Sequence, residues 1–476
     1  MASLSRQTIV PLIVACALFM QNMDSTVIAT ALPAIAGAFG EDPLHLNLAI
    51  TAYLVSLAIF IPLSGWTADR YGARTVFRGA IVVFTLGSIL CGLAGSLPQL
   101  VLARILQGAG GAMMVPVGRL VLLRTVPKSE LVRAMSYLAV PALIGPVIGP
   151  PLGGLIVTYA SWRWIFFINI PIGLLGIVLA NLYIENFREE RPEPLDLRGF
   201  VLAGAGLAAL MYGLETAGRG MLPPGIVAAL LAGAAILLGL YWLHARSVAS
   251  PIIDLGLMRL PTFSAALLGS AVFRLGIEGL PFLMPLLLQL GFGMTPLASG
   301  LLTFATYAGA MGMKATATPI IRALGFRTVL MGNAVICALF MMSYSLFAPT
   351  TPKVVIFAAL LAGGFFRSLQ VTGTNSLVFA DVPPALMSRA SSFASMAQQL
   401  SISFGVCASA LLLHVVHALR GGTALEVADF TPVFLANGCI ALFAILTFVP
   451  LPREAGGELS GHRPVSLATP RGPAPR

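Results

Sequence analysis

The sequence predicts an all-α, polytopic membrane protein, and three observations support this fold class. The 476 residues are 58% hydrophobic and only 10% charged, whereas about 25% of the residues of a soluble domain are charged. Apolar runs of the ~20 residues that a hydrocarbon core of ~30 Å requires follow one another along the chain. These runs do not alternate between apolar and polar residues at every second position, so they are predicted to be helices.

Fourteen apolar segments are expected to cross the membrane. The first follows Arg6 and is too long for the core of a signal peptide, so it is expected to insert uncleaved. The predicted helices are 9–36, 46–66, 77–96, 98–120, 135–158, 163–184, 199–216, 223–243, 263–289, 296–319, 327–348, 354–380, 390–418 and 431–450.

The positive charges place both chain ends on one side of the membrane. Of the 28 Lys and Arg residues, 20 fall on one side of this arrangement, four on the other and four, Arg104, Arg274, Lys314 and Arg367, inside the membrane. The positive-inside rule assigns the richer side to the cytoplasm, so both termini are expected there, in a cell inner (cytoplasmic) membrane. This distribution also accounts for the formal net charge of +10 without a nucleic-acid partner.

Two loop sequences indicate an internal repeat. The stretch "GWTADRYGARTVF" (65–77) aligns with "TATPIIRALGFRTVL" (316–330) when Gly72 is placed on Gly325. Repeated halves around a central site are typical of secondary transporters. The predicted domains are a six-helix half at 1–184, a linker with two extra helices at 185–262, a second six-helix half at 263–450 and a disordered cytoplasmic tail at 451–476.

The sequence contains no motif for ATP hydrolysis or for enzymatic catalysis. It has no G-x-x-x-x-G-K-[ST] loop, and the glycine-rich "GAGGAM" after Gln107 lies inside a predicted membrane helix. No Ser/His/Asp or Cys/His cluster emerges that would predict an active site or a metal site. We therefore expect a protein that is not an enzyme, needs no cofactor and draws any energy it uses from an ion gradient.

Two acidic residues stand out because they lie within predicted apolar helices. Asp24 lies in "FMQNMDSTVIATALP" and Glu278 lies in "FRLGIEGLPFLMPLLLQ". A charged side chain at the centre of a membrane helix costs about 2.5–3.5 kcal/mol on translocon scales, so it requires a partner, a water-filled cavity or a function. Both acids are candidates for proton coupling. A static polar link between helices is the alternative for Asp24.

Two arginines are the expected partners of these acids. Arg104, in "ARILQGAGGAMMVP", shares a helix face with Gln107 three residues later. Arg274 precedes Glu278 by four residues, so these two side chains can pair on one helix face. Glu278 is then either a structural partner of Arg274 or a second proton site.

Polar residues within the predicted helices form a candidate substrate cavity. Four basic residues, Arg104, Arg274, Lys314 and Arg367, are expected in the cavity against the two acids Asp24 and Glu278. This excess favours an anionic cargo more than is typical of an exporter of cations. The candidate cavity residues are Gln21, Asn22, Gln107, Lys314, Arg367, Gln370, Asn375 and Gln398.

Two glycine-containing motifs are candidates for conformational change. In the first predicted cytoplasmic loop, a tight glycine turn with charges of both signs can hold helix ends together in one conformation. The fifth helix, "VPALIGPVIGPPLGGLIV", combines prolines that disturb its backbone hydrogen bonds with glycines that allow close packing. The motif residues are Gly65, Asp69, Arg70, Gly72 and Arg74 in the loop and Gly145, Pro146, Gly149, Pro150, Gly153 and Gly154 in the helix.

Together these motifs resemble the major facilitator superfamily, specifically its fourteen-helix drug:proton antiporter branch of the EmrB/QacA type. "MDSTVIATALP" resembles the first-helix motif of that branch, with its acid at Asp24, and "GWTADRYGARTVF" resembles the superfamily loop motif. "LARILQGAGGAMM" resembles the helix-four motif, whose basic residue falls on Arg104. "GPVIGPPLGG" is similar to the helix-five antiporter motif and "WRWIFFINIPIG" to the helix-six signature. The Pro150-Pro151 pair departs from the helix-five pattern.

The resemblance implies the major facilitator fold and proton-coupled export of small amphipathic compounds, as in multidrug efflux, by alternating access. Two alternatives stay open: export of an endogenous anionic metabolite and, more remotely, a membrane sensor that transports nothing. The expected partners are a small-molecule substrate, protons and the lipid bilayer, with no nucleic acid. By analogy with the family, the protein is expected to be a monomer.

Overall fold

A computed structural model describes residues 6–125, 131–188, 194–217, 222–248, 251–383, 386–421, 425–452 and 454–457. Within these ranges, side chains are not described at 6–8, 123–124, 131–143 and 388. Most of the tail predicted to be disordered (451–476) lies outside the described residues, as do 189–193 and 218–221 in the predicted linker.

The described residues form a succession of α-helices, which are numbered here in chain order. Three short segments of other helix types interrupt them: 3-10 turns at Leu255–Arg259 and Tyr344–Leu346 and a π-helical turn at Leu287–Gly291. The helices are α1 (Arg6–Phe39), α2 (Asn47–Phe60), α3 (Leu63–Tyr71), α4 (Ala73–Leu93), α5 (Leu97–Thr125), α6 (Leu131–Tyr159), α7 (Trp164–Phe167), α8 (Asn169–Tyr183), α9 (Leu197–Thr216), α10 (Pro224–Ser247), α11 (Pro261–Ile277), α12 (Leu280–Leu286), α13 (Pro296–Leu324), α14 (Phe326–Ser343), α15 (Lys353–Leu377), α16 (Met387–Arg420), α17 (Val427–Leu442) and α18 (Ala444–Phe448).

These helices confirm the predicted all-α membrane fold. Each of the fourteen predicted ranges overlaps one helix or one helix with a short break. In the part of the chain that the structure describes, 11 helices are long and apolar enough to cross a membrane, or up to 12 if the bent pair α2–α3 is one span. The count of fourteen spans therefore stays a prediction.

The predicted loop between the second and third spans is itself helical, which corrects the expected boundaries. α2 and α3 meet at a bend of 56°, and α3 ends at Tyr71, so the expected loop at 67–76 is reduced to Gly72. The φ angle of Gly72 is 92°, a value that side-chain-bearing residues rarely adopt. A glycine therefore allows two helices to meet here at a single residue.

A second glycine corner joins α13 to α14. Gly325 has φ 75° and ψ 156°, close to the 92° and 139° of Gly72. In each corner the glycine N–H donates to a carbonyl four residues earlier, that of Ala68 at 2.9 Å and that of Ile321 at 2.8 Å. This geometry agrees with the repeat alignment, while the domain boundaries stay predictions.

The packing of the helices places a central space between two groups. In the first group α1 lies against α6 and α8, and α5 lies against α2 and α4. In the second group α13 packs on α15, α14 on α17 and α11 on α16. α6 contacts α13 and α2 contacts α16, so these two pairs join the groups, while α9 and α10 form a hairpin beside α2.

Candidate functional site

A central cavity of about 290 Å³ lies between the two helix groups. Its wall comes from α1, α2, α5 and α6 on one side and from α11, α12, α13, α15 and α16 on the other. Ligand sites combine apolar surface with a few polar groups that fix orientation, and this wall has both. Its charged or polar members include Gln21, Asn22, Ser25, Arg104, Arg274, Glu278, Tyr307, Arg367, Gln398 and Gln399.

Asp24 is completely buried beside this cavity and accepts hydrogen bonds from two other helices. Arg104 Nη1 of α5 donates to Asp24 Oδ2 at 2.6 Å, and both side chains have 0% exposure. Gln107 Nε2 of α5 and Asn169 Nδ2 of α8 donate to Asp24 Oδ1 at 2.9 Å and 3.0 Å. The acid predicted from the sequence is thus the centre of a polar network that joins α1, α5 and α8.

Arg104 reaches from this network to the cavity wall. Its Nε donates to the Ala49 carbonyl at 3.3 Å, and its Cζ lies 4.1 Å from the centre of the Tyr53 ring. A guanidinium over an aromatic face gains a cation–π attraction that is stronger when water is excluded. Arg104 and Tyr53 both line the cavity. A change at Asp24 can therefore reach the cavity through one side chain.

Two members of the network were not predicted from the sequence. Ser88 Oγ accepts from Gln107 Nε2 at 2.6 Å and from Asn169 Nδ2 at 3.2 Å, and all three side chains are buried. Asn169 had a sequence signal, because it is a lone amide in the apolar run "WIFFINIPIG". Ser88 had none, since single serines are ordinary packing residues in membrane helices.

Glu278 lies at the cavity wall between two arginines. Arg274 Nη1 donates to Glu278 Oε1 at 3.1 Å, which confirms the predicted pairing of these side chains. Arg367 Nη2 of α15 lies 3.8 Å from Glu278 Oε2, a contact that the sequence did not predict. Two cations therefore face one acid. The proposed role of Glu278 in proton transport stays a prediction.

Each of these two arginines keeps a nitrogen without a hydrogen bond. Among the described residues, Arg274 Nη2 and Arg367 Nη1 are buried and have no hydrogen-bond partner. Arg104 Nη2 has none either, although Tyr53 covers that guanidinium. Buried polar groups are normally satisfied by protein or by water. Arg274 Nη2 and Arg367 Nη1 are thus donors that this arrangement leaves unused, on two residues of the cavity wall.

The other predicted cavity residues divide into two groups. Gln21, Asn22, Arg367 and Gln398 lie on the wall of the central cavity, and their contact with a substrate stays a prediction. The described structure does not place Gln107, Lys314, Gln370 or Asn375 on that wall.

These four residues lie elsewhere because their helix faces point elsewhere. Gln107 holds Asp24, and Gln370 is buried against Asn333 of α14 and the Leu330 carbonyl. Lys314 Nζ donates to Thr372 Oγ1 at 2.8 Å on an exposed surface, whereas Asn375 lines a separate small cleft.

The glycines of the helix-five motif lie in α6. They face two different neighbouring helices, α1 and α13. A Cβ atom added at Gly145 would lie 2.9 Å from the Phe19 carbonyl oxygen, and one at Gly153 would lie 2.7 Å from that of Val27, so this face packs on α1. A Cβ at Gly149 would meet the Thr26 hydroxyl.

Gly154 faces α13 instead, because its Cβ would lie 2.5 Å from the Pro296 carbonyl oxygen. Gly300 of α13 in turn packs against Pro150. Pro146 lies on the cavity wall. Helix α6 is thus held against both groups.

The loop motif contacts the end of its own helix group. The Ala73 N–H donates to the Phe187 carbonyl at 2.8 Å, and the Thr75 N–H donates to Asn186 Oδ1 at 3.3 Å. A side chain at Gly72 would collide with Asn186. The roles expected for Gly65, Asp69, Arg70 and Arg74 in conformational change stay predictions.

Two further acidic residues are buried in the structure, whereas only Asp24 and Glu278 were singled out from the sequence. Glu215, at the end of α9, is 1% exposed and accepts from Asn47 Nδ2 at 2.7 Å. Asp429 is 2% exposed, and Arg420 Nη1 donates to it at 3.0 Å. Both lie near helix ends, where sequence alone does not distinguish a buried acid from an exposed loop acid.

The chain is similar to proteins of known family over most of its length. It is 42% identical over 401 residues to the protein named "Putative multidrug resistance protein MdtD" from Salmonella heidelberg (strain SL476), covering 84% of this chain and 85% of that protein. The protein of the same name from Salmonella typhi matches to the same extent.

Its fold is similar to that of a solved transporter. The crystal structure of a D-xylose-proton symporter superposes with a TM-score of 0.69 at 16% sequence identity, covering 95% of this chain and 99% of that one. At this identity the likeness concerns the fold alone. The sequence profile of the Major Facilitator Superfamily matches residues 14–406, with a second match at 266–474. With its polytopic helical fold and its central cavity between two helix groups, the chain belongs to the Major Facilitator Superfamily.

Proposed function

We propose that this transporter exports small amphipathic compounds in exchange for protons, by alternating access, and that Asp24 carries the proton. The observation that carries the proposal is the buried Asp24–Arg104 pair beside the central cavity. The multidrug-resistance name of the 42% identical relatives supports the same class of cargo. Energy would come from the proton gradient, with no cofactor. An inner-membrane location with both termini in the cytoplasm fits the charge distribution, and a monomer is proposed by analogy with the family.

Protonation of Asp24 cannot leave its surroundings unchanged. The carboxylate oxygens accept from Arg104, Gln107 and Asn169, whereas a protonated carboxyl becomes a donor with less acceptor capacity. Arg104 would then be a buried cation without a counter-charge, and removal of one partner of such a pair costs about 3–5 kcal/mol. The protonated state therefore favours an arrangement in which Arg104 reaches water or another anion. This requirement couples the proton to a conformational change.

Two contacts between the helix groups support an arrangement that is closed at one end of the transporter. Gln289 Nε2 donates to the Thr30 carbonyl at 3.1 Å, and the Leu297 N–H donates to Thr158 Oγ1 at 3.1 Å. Thr158 and Leu297 lie at the end of α6 and the start of α13, Gln289 lies in the turn at 287–291, and Thr30 lies in the last third of α1. By the positive-inside assignment this is the outer end. Alternating access would break these contacts and open the cavity outward.

A substitution at Gly154 tests whether the α6–α13 contact closes this end of the transporter. Gly154→Leu places a side chain against Pro296 and is expected to abolish exchange while the protein still folds and inserts. The matched control is Gly37→Leu, because nothing lies within 4 Å of a Cβ at Gly37. Equal transport by Gly154→Leu and Gly37→Leu would show that the α6–α13 contact is not part of the cycle.

An anionic metabolite is the second candidate cargo, and the cluster around Glu278 favours it. Arg274 and Arg367 together face one acid, and each keeps an unpartnered nitrogen. The net charge of +1 from two cations and one anion attracts an anion and repels a cation. A cation competes with protons for the acids, whereas an anion binds more readily when they are protonated. The two cargo classes therefore predict opposite effects of pH on binding.

A counterflow screen in proteoliposomes tests the proposal. The probes are ethidium as a lipophilic cation, cholate as an amphipathic anion and succinate as a small polar anion. The proposal expects at least one probe to drive protons in the opposite direction through the wild-type protein. Transport of succinate, without transport of ethidium or cholate, would favour export of an endogenous anionic metabolite. Absence of any counterflow would favour the sensor alternative.

A further inference from the structure

A second cavity lies outside the transport path, between the α9–α10 hairpin and the first helix group. Its volume is about 670 Å³, more than twice that of the central cavity. Its wall comes from α2, α5 and α9, with Leu230 from α10. We call it the hairpin slot. No charged residue is among the described residues that line it.

α9 contacts α2 near both ends of the slot. At one end the Phe60 and Phe200 rings have centroids 5.7 Å apart. At the other end Asn47 Nδ2 donates to Glu215 at 2.7 Å. The α2 wall of the slot runs from Leu48 to Phe60, which is about 18 Å at 1.5 Å per residue. This length matches the ~15 Å depth of one leaflet of a ~30 Å hydrocarbon core.

The chemistry of the wall selects hydrocarbon over water or a polar cargo. Thr51 Oγ1 donates to the Asn47 carbonyl at 3.2 Å, and Ser56 Oγ donates to the Ile105 carbonyl at 2.6 Å. These hydroxyls are therefore already used, and an apolar cavity without free polar partners does not hold water well.

The side of the slot is open toward lipid. Of the residues at this opening, Leu102 is 67% exposed, and Ile105 and Tyr212 are each 41% exposed. An acyl chain can therefore enter laterally from one leaflet, whereas a polar cargo would find little besides the Tyr212 hydroxyl to bind.

We propose that the hairpin slot holds one acyl chain of a membrane phospholipid as a bound ligand. The slot matches a single chain in its polarity, its length and its lateral opening. A lipophilic cargo is the competing occupant, but the slot has no connection to the polar groups of the central cavity through shared lining residues. The ligand is thus a lipid and not the transported compound.

The position of the slot connects this lipid to the contact between the two helix groups. Val55 and Met211 line the slot, and they also form a buried apolar cluster with Cys407 of α16. The acyl chain of the lipid therefore fills the space directly behind the place where α2 and α9 contact α16. Its presence supports that contact, because an empty cavity would deprive the two side chains of packing partners on one face.

Native mass spectrometry of the full-length protein tests the proposal. After exchange into a delipidating detergent, the wild-type protein is expected to retain one phosphatidylethanolamine that Ala209→Phe does not retain, because the ring fills the slot from α9. Val101→Trp fills it from α5 and is expected to act in the same way, which guards against a folding defect in one variant. The control is Ala235→Phe, since Ala235 is exposed on α10 and does not line the slot.

A second measurement uses thermal unfolding in detergent. Added phosphatidylethanolamine is expected to raise the Tm of the wild type and of Ala235→Phe, but not of the two slot-filling variants, because a ligand stabilises only the state that binds it. Equal lipid retention in all four proteins, or none in any, would overturn the proposal. Retention of added tetraphenylphosphonium in the slot in place of the phospholipid would also overturn it.

Discussion

The two arginine–carboxylate sites beside the central cavity differ in charge balance and in access. Asp24 and Arg104 form a one-to-one pair at 2.6 Å with 0% exposure of both side chains, and Gln107 of α5 and Asn169 of α8 also donate to Asp24. Glu278 instead lies between Arg274 at 3.1 Å and Arg367 at 3.8 Å, and Arg367 is 17% exposed. The first site is balanced and sealed, whereas the second has an excess positive charge at the cavity wall.

From this difference in charge balance and access, we infer that the two sites have different roles. A balanced buried pair resists any single change of charge, so a proton that enters it forces a rearrangement. A site with two cations around one acid carries an excess charge that an anionic ligand can balance without a rearrangement. We therefore propose that the first site couples protons to transport and that the second contacts cargo.

The largest expected effect is on stability when one arginine is removed from each site. Arg104→Met leaves Asp24 buried and unpaired, which should lower the free energy of unfolding by about 3–5 kcal/mol. Arg274→Met leaves Glu278 with Arg367, so its loss should be clearly smaller. Unfolding in mixed micelles with a denaturing detergent measures both. Equal losses would mean that the sites do not differ as described.

The next expected effect is on binding at the second site. Glu278→Gln raises the cluster charge from +1 to +2, since Arg274 and Arg367 both remain. The affinity for cholate should increase by about tenfold, which corresponds to ~1.4 kcal/mol, and ethidium binding should weaken. Adding Arg274→Gln should reverse both changes. Isothermal titration of the purified variants measures them, and unchanged affinities would remove the second site from contact with cargo.

A smaller effect is expected from the aromatic cover of the first site. Tyr53→Phe keeps the ring over Arg104 and removes a hydroxyl that has no hydrogen-bond partner among the described residues, so stability should hardly change. Tyr53→Leu removes the cation–π contact and should lower stability by about 0.5–2 kcal/mol. Thermal unfolding of the two variants separates these cases. A larger loss in Tyr53→Phe would show that the hydroxyl, and not the ring, supports Arg104.

The smallest effect concerns an acid outside the membrane, which serves as a reference for both sites. Burial raises the pKa of Asp196, but hydrogen bonds from His244 and from the Gly199 and Ile252 N–H groups outweigh it, so its pKa is lowered overall. A lowered pKa stabilises the folded state above the unfolded pKa of about 3.9.

This stabilisation is lost as the pH falls through the lower folded pKa. Asp196→Asn should therefore be slightly less stable than the wild type at pH 7. The difference should disappear at acidic pH. A constant difference in Tm from pH 7 to the acid limit would contradict this account.

The sequence predicts contacts within a helix better than contacts between helices. Arg274 and Glu278 were predicted to pair because four residues separate them on one helix. The approach of Arg367 to Glu278 and that of Asn169 to Asp24 depend on how separate helices rotate against one another. The spacing of residues along the sequence does not determine that rotation.

The same limitation explains the cavity residues that were placed wrongly. Arg367 lies on the cavity wall, while Gln370, three residues later, points to Asn333 on α14. The sequence identified both as polar residues in one apolar helix, but it did not show which face of α15 meets the cavity. The all-α fold was predictable, by contrast, because a bilayer imposes long apolar helices on any sequence that spans it.

The central claim is that Asp24 carries the proton that drives export. Asp24→Asn keeps the shape of the side chain and removes its ability to titrate. In proteoliposomes with a pH-sensitive dye inside, we measure proton movement driven by whichever of ethidium, cholate or succinate the wild-type protein transports. The account predicts that Asp24→Asn inserts and folds, and that its cargo-driven proton movement is abolished, while Glu278→Gln retains it. Wild-type proton exchange by Asp24→Asn would contradict the account.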